Sequence, residues 1–207
     1  MIDRVVLLHG IWNHRPVLWP LAARLRASGF EVETFGYPSV LGGAEAAAEQ
    51  LAAKLRLDAR KGRAATHLVG HSLGGLVSLL AARDEELPVQ RIVCLGSPLT
   101  GSAAARAVRE RGLGFGMGRS ARVLLKGLEH APLHREVGAI AGTLEVGLGR
   151  VFGTFDGPHD GTVAVAETRL PGLVDHREVR ASHMGLLVSR PAAEAVASFL
   201  RTGRFAG

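Results

Sequence analysis

Two rhythms of apolar residues alternate along this chain. Residues 4 to 8 form a nearly unbroken Val/Leu run ending at His9-Gly10, the pattern of a strand buried on both faces of a parallel sheet. Leu18, Leu21, Ala22 and Leu25 then recur at helical spacing before a Ser28-Gly29 stop. A second strand is expected over Phe30 to Tyr37, closed by Pro38. Ala44, Ala47, Ala48, Leu51 and Leu55 mark the buried face of a helix over 44–60, and Thr66 to Gly70 reads as a third strand. The same alternation gives a helix from Leu73 to about Glu86, a strand over Arg91 to Gly96, a helical stretch from Ser102 to Arg111 and a strand over Val137 to Thr143. Beyond a polar, glycine-bearing segment, a last strand near His176 to Arg180 and a helix from about Pro191 to Leu200 complete the series. Such a series predicts an α/β fold, a mostly parallel sheet with helices on both faces.

Residues 112 to 133 interrupt the rhythm. Gly112, Gly114, Gly116 and Gly118 punctuate them before a short Arg/Leu-rich helical stretch, so a flexible rim or small lid is expected. Its place after a core strand puts it at the edge where ligands bind, the C-terminal ends of parallel strands.

Length and composition narrow the classes. A chain of 207 residues suits one domain spanning 1–207, and 47% hydrophobic with 21% charged residues is ordinary for a folded protein. The single cysteine, Cys94, excludes an internal disulfide, and its setting in Ile92-Val93-Cys94-Leu95 reads as a buried small hydrophobe. A net charge of +6 invites a nucleic-acid or anionic-membrane partner. The arginines, however, are spread from Arg4 to Arg204 and aromatic residues are too few for base stacking. No nucleic-acid partner is expected, and weak association with anionic interfaces is the most the charge supports. The longest apolar stretch, 64–82, contains His67, His71, Ser72 and paired glycines, which argues against stable membrane insertion. Met1 to Leu8 shows no secretory leader pattern, so a cytoplasmic location is expected.

Gly70-His71-Ser72-Leu73-Gly74 fits G-x-S-x-G between a strand and a helix, the context in which a sharp turn presents a serine hydroxyl. Glycines on either side remove Cβ atoms that would clash there. The other reading of Ser72 is a plain helix N-cap. A serine needs a base, and of nine histidines His183, in Ala181-Ser182-His183-Met184-Gly185 after the last strand, is best placed. His176 sits at the opposite end of that strand, and His71, inside the turn, reads as a supporting residue. The acid that orients the base should lie between them in chain order. Asp160, in Pro158-His159-Asp160-Gly161-Thr162-Val163, is preferred to Asp156, whose Asp-Gly step equally makes a turn, and to Asp175. Backbone N–H groups of Leu73 and, after the first strand, of Ile11 are the expected oxyanion donors, with His9 and Gly10 shaping the loop.

His9-Gly10, Gly70-His71-Ser72-Leu73-Gly74-Gly75, Asp160-Gly161-Thr162-Val163 and Ser182-His183 together resemble the lipase and esterase branch of the α/β-hydrolase superfamily, most closely its compact bacterial members. Gly96-Ser97-Pro98 followed by Gly101-Ser102 is similar to the segment after a core strand in that group. The resemblance implies an α/β-hydrolase fold of about six strands without a large cap. It also implies hydrolysis of small-molecule or lipid carboxylic esters through an acyl-enzyme, with no metal or organic cofactor. One departure stands out: residues 144 to 155 intervene between a presumed strand and the acid. The same groups could serve acyl transfer or thioester cleavage, and a non-catalytic lipid- or protein-binding module on this fold is the reading from another class. Trp12, Trp19, Phe115 and Met117 are candidates to line the pocket.

Overall fold

The computed structural model describes residues 3–63, 65–146, 155 and 157–205. Six strands form one sheet: β1 (Arg4–Leu8), β2 (Glu31–Phe35), β3 (Thr66–His71), β4 (Val89–Leu95), β5 (Glu136–Gly142) and β6 (Asp175–Val179). Their order is β2-β1-β3-β4-β5-β6, and all five pairings are parallel. The helices are α1 (Trp19–Ala27), α2 (Gly43–Arg60), α3 (Leu73–Ala81), α4 (Ala103–Glu110), α5 (Ala121–Lys126) and α6 (Arg190–Thr202).

The unbroken apolar run of β1 now has its explanation. Val6 and Leu8 join Leu68, Ile92, Cys94, Val137 and Ala139 in a core closed by α2, α3 and α5. Val5 and Leu7 join Val69, Val93, Leu95 and Ile140 in a second core, closed by α1 and α6. Each inner strand is therefore buried on both sides, and side-chain alternation sends successive residues to different cores. Among the described residues, no helix is long and apolar enough to cross a membrane.

Three boundaries move. β2 is shorter than the expected Phe30–Tyr37 because Tyr37 turns in to pack against His9, with ring centroids 4.4 Å apart and the rings stacked nearly parallel. α3 ends at Ala81, well before Glu86, and a turn through Arg83 to Glu86 leads into β4. The 112–133 region, expected as a flexible rim or small lid, carries regular structure. A 3-10 segment, Gly114–Ser120, buries Met117 and Ser120 and runs into α5. Gly118 adopts φ +52°, and a Cβ there would meet the Val40 carbonyl at 2.3 Å.

Parallel strands deliver all their C-terminal ends to one edge, and the backbones there are close. A Cβ on Gly70 would lie 2.2 Å from the Gly74 backbone, and one on Gly74 would lie 2.5 Å from the Leu8 carbonyl oxygen. The first turn of α3 thus rests directly on the ends of β1 and β3. Gly70→Ala is expected to lower unfolding free energy by about 2–3 kcal/mol or prevent folding, because fixed backbone must move. Gly116→Ala, with open space at its Cβ, should stay within about 1 kcal/mol of wild type. Urea unfolding of both variants measures this, and equal midpoints would refute it.

Candidate active site

Ser72 links β3 to α3 with φ +54° and ψ −123°, a backbone conformation L-residues avoid. Its own N–H donates to the Leu95 carbonyl at 2.9 Å, anchoring the turn to the end of β4. The serine makes no side-chain cap hydrogen bond, so it does not serve α3 as an ordinary N-cap. Gly10, after β1, comes so near that a Cβ on it would lie 3.0 Å from the Ser72 Cβ. The loop after β1 is held from behind. His9 donates from Nδ1 to the Gly10 carbonyl at 2.8 Å, and its Nε2 accepts the Tyr37 N–H at 3.4 Å. The Tyr37 hydroxyl donates to the His9 carbonyl at 2.5 Å. Burial lowers the His9 pKa, in keeping with this neutral tautomer.

His183 and Asp160 meet although 23 residues separate them. His183 Nδ1 lies 2.8 Å from Asp160 Oδ2, and the His183 N–H donates to the Asp160 carbonyl at 2.8 Å. Asp160 is almost fully buried, and its Oδ1 accepts the N–H groups of Thr162 (2.9 Å) and Val163 (2.8 Å). Four donors therefore converge on one residue, which fixes the carboxylate and makes Nδ1 the protonated nitrogen of a neutral His183, leaving Nε2 as acceptor. Gly96, after β4, passes beneath the pair with φ +57°, where a Cβ would sit 3.2 Å from Asp160 Oδ2 and 3.3 Å from His183 Nδ1. Asp160 also abuts the end of β5, since a Cβ on Gly142 would lie 2.7 Å from the Asp160 Cβ. The residues inserted after β5 thus leave the acid beside its strand.

His71 fills the space behind the pair. Its Nε2 donates to the His183 carbonyl at 3.0 Å, and the two ring centroids lie 4.6 Å apart. Burial, then repulsion from His183, pushes its pKa down to about 3.

Ser72 opens onto a cavity of about 370 Å³ whose lining is overwhelmingly apolar, including Ile11, Val108, Leu113, Met117 and Leu124. Trp12 and Phe115 stand at its exposed mouth. Trp12, itself at φ +58°, donates its indole N–H to the Gly116 carbonyl at 2.8 Å and its backbone N–H to Ser39 Oγ at 3.2 Å.

A family model described as the alpha/beta hydrolase family matches residues 5–202. This chain belongs to that family. Its fold is similar to that of the Bacillus licheniformis lipase BlEst2 in mature form, with a TM-score of 0.80 at 20% identity over 99% of this chain and 93% of that one. Against the propeptide form of BlEst2 the TM-score is 0.81 at 20% identity, over 100% of this chain but 51% of that one. The metagenomic carboxyl esterase MGS0156 gives 0.69 at 17% identity, over 98% and 71% of the two chains. No curated protein sequence matches the chain.

Within this α/β hydrolase, Ser72, His71, His183, Asp160, Gly10 and Ile11 lie at the edge formed by the C-terminal ends of the strands. Asp175 does not join them. It lies at the other end of β6, where its carboxylate accepts the N–H groups of His176 and Phe205. Asp156 lies outside the described residues. Trp19 is exposed and does not line the cavity, contrary to expectation, because it opens α1 on the solvent side. Tyr37 and Ser39, which brace the His9–Trp12 loop, escape sequence reasoning because neither belongs to a catalytic pattern.

Two neutral histidines tie stability to pH. His67 in β3 accepts the Arg91 N–H at Nδ1, and burial lowers its pKa to about 4. Between pH 6.5 and 4 the unfolded chain takes up protons at His67 and His71 that the folded chain refuses. Their contribution is complete above about pH 6.5 and is lost as pH falls below it. His67→Gln should reduce the drop in urea midpoint between pH 7.5 and 5, and a drop identical to wild type would contradict this assignment.

Proposed function

We propose that this chain hydrolyses carboxylic esters with Ser72 as nucleophile, His183 as general base and Asp160 as the orienting acid. The observation that carries the reading is a strained serine lining an apolar cavity, on the same sheet edge as a buried His–Asp pair. A lipase, a carboxyl esterase and the Legionella pneumophila phospholipase PlaB among proteins of similar fold support an ester substrate.

His183 Nε2 takes the Ser72 proton as Oγ attacks the ester carbonyl. The new oxyanion is met by the N–H of Leu73, whose place as first residue of α3 leaves it without an intrahelical acceptor, and by the N–H of Ile11. Protonated His183 then gives its proton to the leaving alcohol, and an acyl-serine remains. Water enters, loses a proton to His183 and attacks the acyl carbon; collapse returns the proton to Ser72 and releases the acid. Asp160 stays ionised and stabilises the imidazolium formed twice in the cycle. The fatty portion of the substrate occupies the apolar cavity, where burial of methylene groups provides affinity.

Hydrolysis of p-nitrophenyl esters from acetate to dodecanoate tests the proposal. Ser72→Ala should lose about three orders of magnitude or more in kcat/KM while keeping the wild-type unfolding midpoint. Undiminished turnover in that variant would reject the nucleophile. Asp160→Asn should lose about 10³–10⁴-fold, whereas Asp175→Asn and Asp156→Asn should stay within about tenfold of wild type. The reverse ranking would assign the acid elsewhere.

A further inference from the structure

The cavity has two walls drawn from distant parts of the chain. One is α4 with its cap, contributing Ser102, Ala104, Ala105 and Val108; the other is Thr162 and Val163, which follow Asp160 after Gly161. The Glu167 side chain hydrogen-bonds both to α4 and to the end of that second strip. Glu167, in the 3-10 turn Val165–Thr168, is buried with 7% exposure. Its Oε1 accepts the Ala103 N–H at 2.5 Å, and its Oε2 accepts the Ala164 N–H at 3.0 Å. Its backbone carbonyl also accepts the Thr100 N–H (3.1 Å) and hydroxyl (3.3 Å). Ala103 opens α4, so the carboxylate satisfies one of that helix's free donors and meets the positive end of its dipole. From the other side, Asp160 grips the same strip through Thr162 and Val163.

We propose that Glu167 is a positioning residue that sets acyl-chain preference by fixing the α4 wall against the strip that holds Asp160. This rests on reading the cavity as the acyl pocket. Glutamine in its place keeps the volume but presents an amide N–H to one of the two backbone donors, so one tether is lost. Protonation of the carboxylate does the same. Burial raises the Glu167 pKa, the two amide donors and Arg106, 3.8 Å away on α4, oppose the rise, and Asp160 adds to it. His176, from β6, meets the Thr168 hydroxyl instead of the carboxylate.

The test is the ratio of kcat/KM for p-nitrophenyl octanoate to that for p-nitrophenyl acetate, from pH 8 to pH 5, in wild type and Glu167→Gln. Both esters use the same base, so titration of His183 cancels in the ratio. In wild type the ratio should fall as pH drops. In Glu167→Gln it should be about tenfold lower at pH 8, through KM for octanoate, and flat with pH. A wild-type ratio in the variant would overturn the proposal. If Glu167→Gln does not fold, Ala103→Pro, which removes the same N–H at a first helical position that accepts proline, should lower the ratio about as much, and an unchanged ratio overturns the proposal. If wild type cleaves neither ester, the ester-hydrolase reading fails. Binding of 1-decanol, uncharged throughout this range, then decides the role of Glu167. Weakening of about tenfold in Glu167→Gln, or on acidification of wild type, supports it, and unchanged binding overturns it.

Discussion

The site depends on bare backbone meeting bare backbone at one edge of the sheet. Gly70 and Gly74 let the first turn of α3 settle on the ends of β1 and β3, and Gly10 lets the next loop touch Ser72. Without those approaches, the turn would relax and Ser72 would have no reason to hold a positive φ. The strain is held by hydrogen bonds on both sides: Ser72 N–H to Leu95, and His9 locked between Gly10 and Tyr37. Two packed cores then hold the strands that carry these contacts.

Around that edge, three histidines are distinguished by what surrounds them. His9 and His71 are buried, each donating a ring N–H to a carbonyl, and burial keeps them neutral. His183 alone of the three has a carboxylate against Nδ1. Burial thus disfavours a protonated ring at His9 and His71, and of the three only the proposed base has an acid as its ring partner. Asp160 and Glu167 extend the same logic, since two buried carboxylates brace one short strip of backbone from its two ends.

Much of this was legible because it rests on local pattern. The double-sided burial of β1, β3 and β4 makes continuous apolar runs, and the strand–G-x-S-x-G–helix context identifies its own turn. The pairing of Asp160 with His183 follows an expectation drawn from chain order and from the loops that bear them. What escaped depends on contacts between distant segments. Glu167 reads as one polar residue at the end of a short Val/Ala stretch, and nothing local shows that it caps a helix 64 residues away. Residues 112–133 read as a flexible rim or small lid because of their glycines. Yet Gly118 is there to let the chain press against Val40, and Met117 is buried beneath. Trp19 differs from the other pocket candidates for the opposite reason: an aromatic residue can line a pocket or pack elsewhere, and its helix turns it outward.

The sheet order carries a consequence for the time course of synthesis. β3 and its serine turn lie in the first half of the chain, while His183 follows His71 by 112 residues, just after the outermost strand β6. A growing chain, emerging at about 5–20 residues per second, therefore exposes the serine several seconds before the groups proposed to activate it. During that interval the serine turn can rest on β1 and β4 but has neither Asp160 nor His183 beside it. The turn and the pair proposed to act on it therefore take shape at different times.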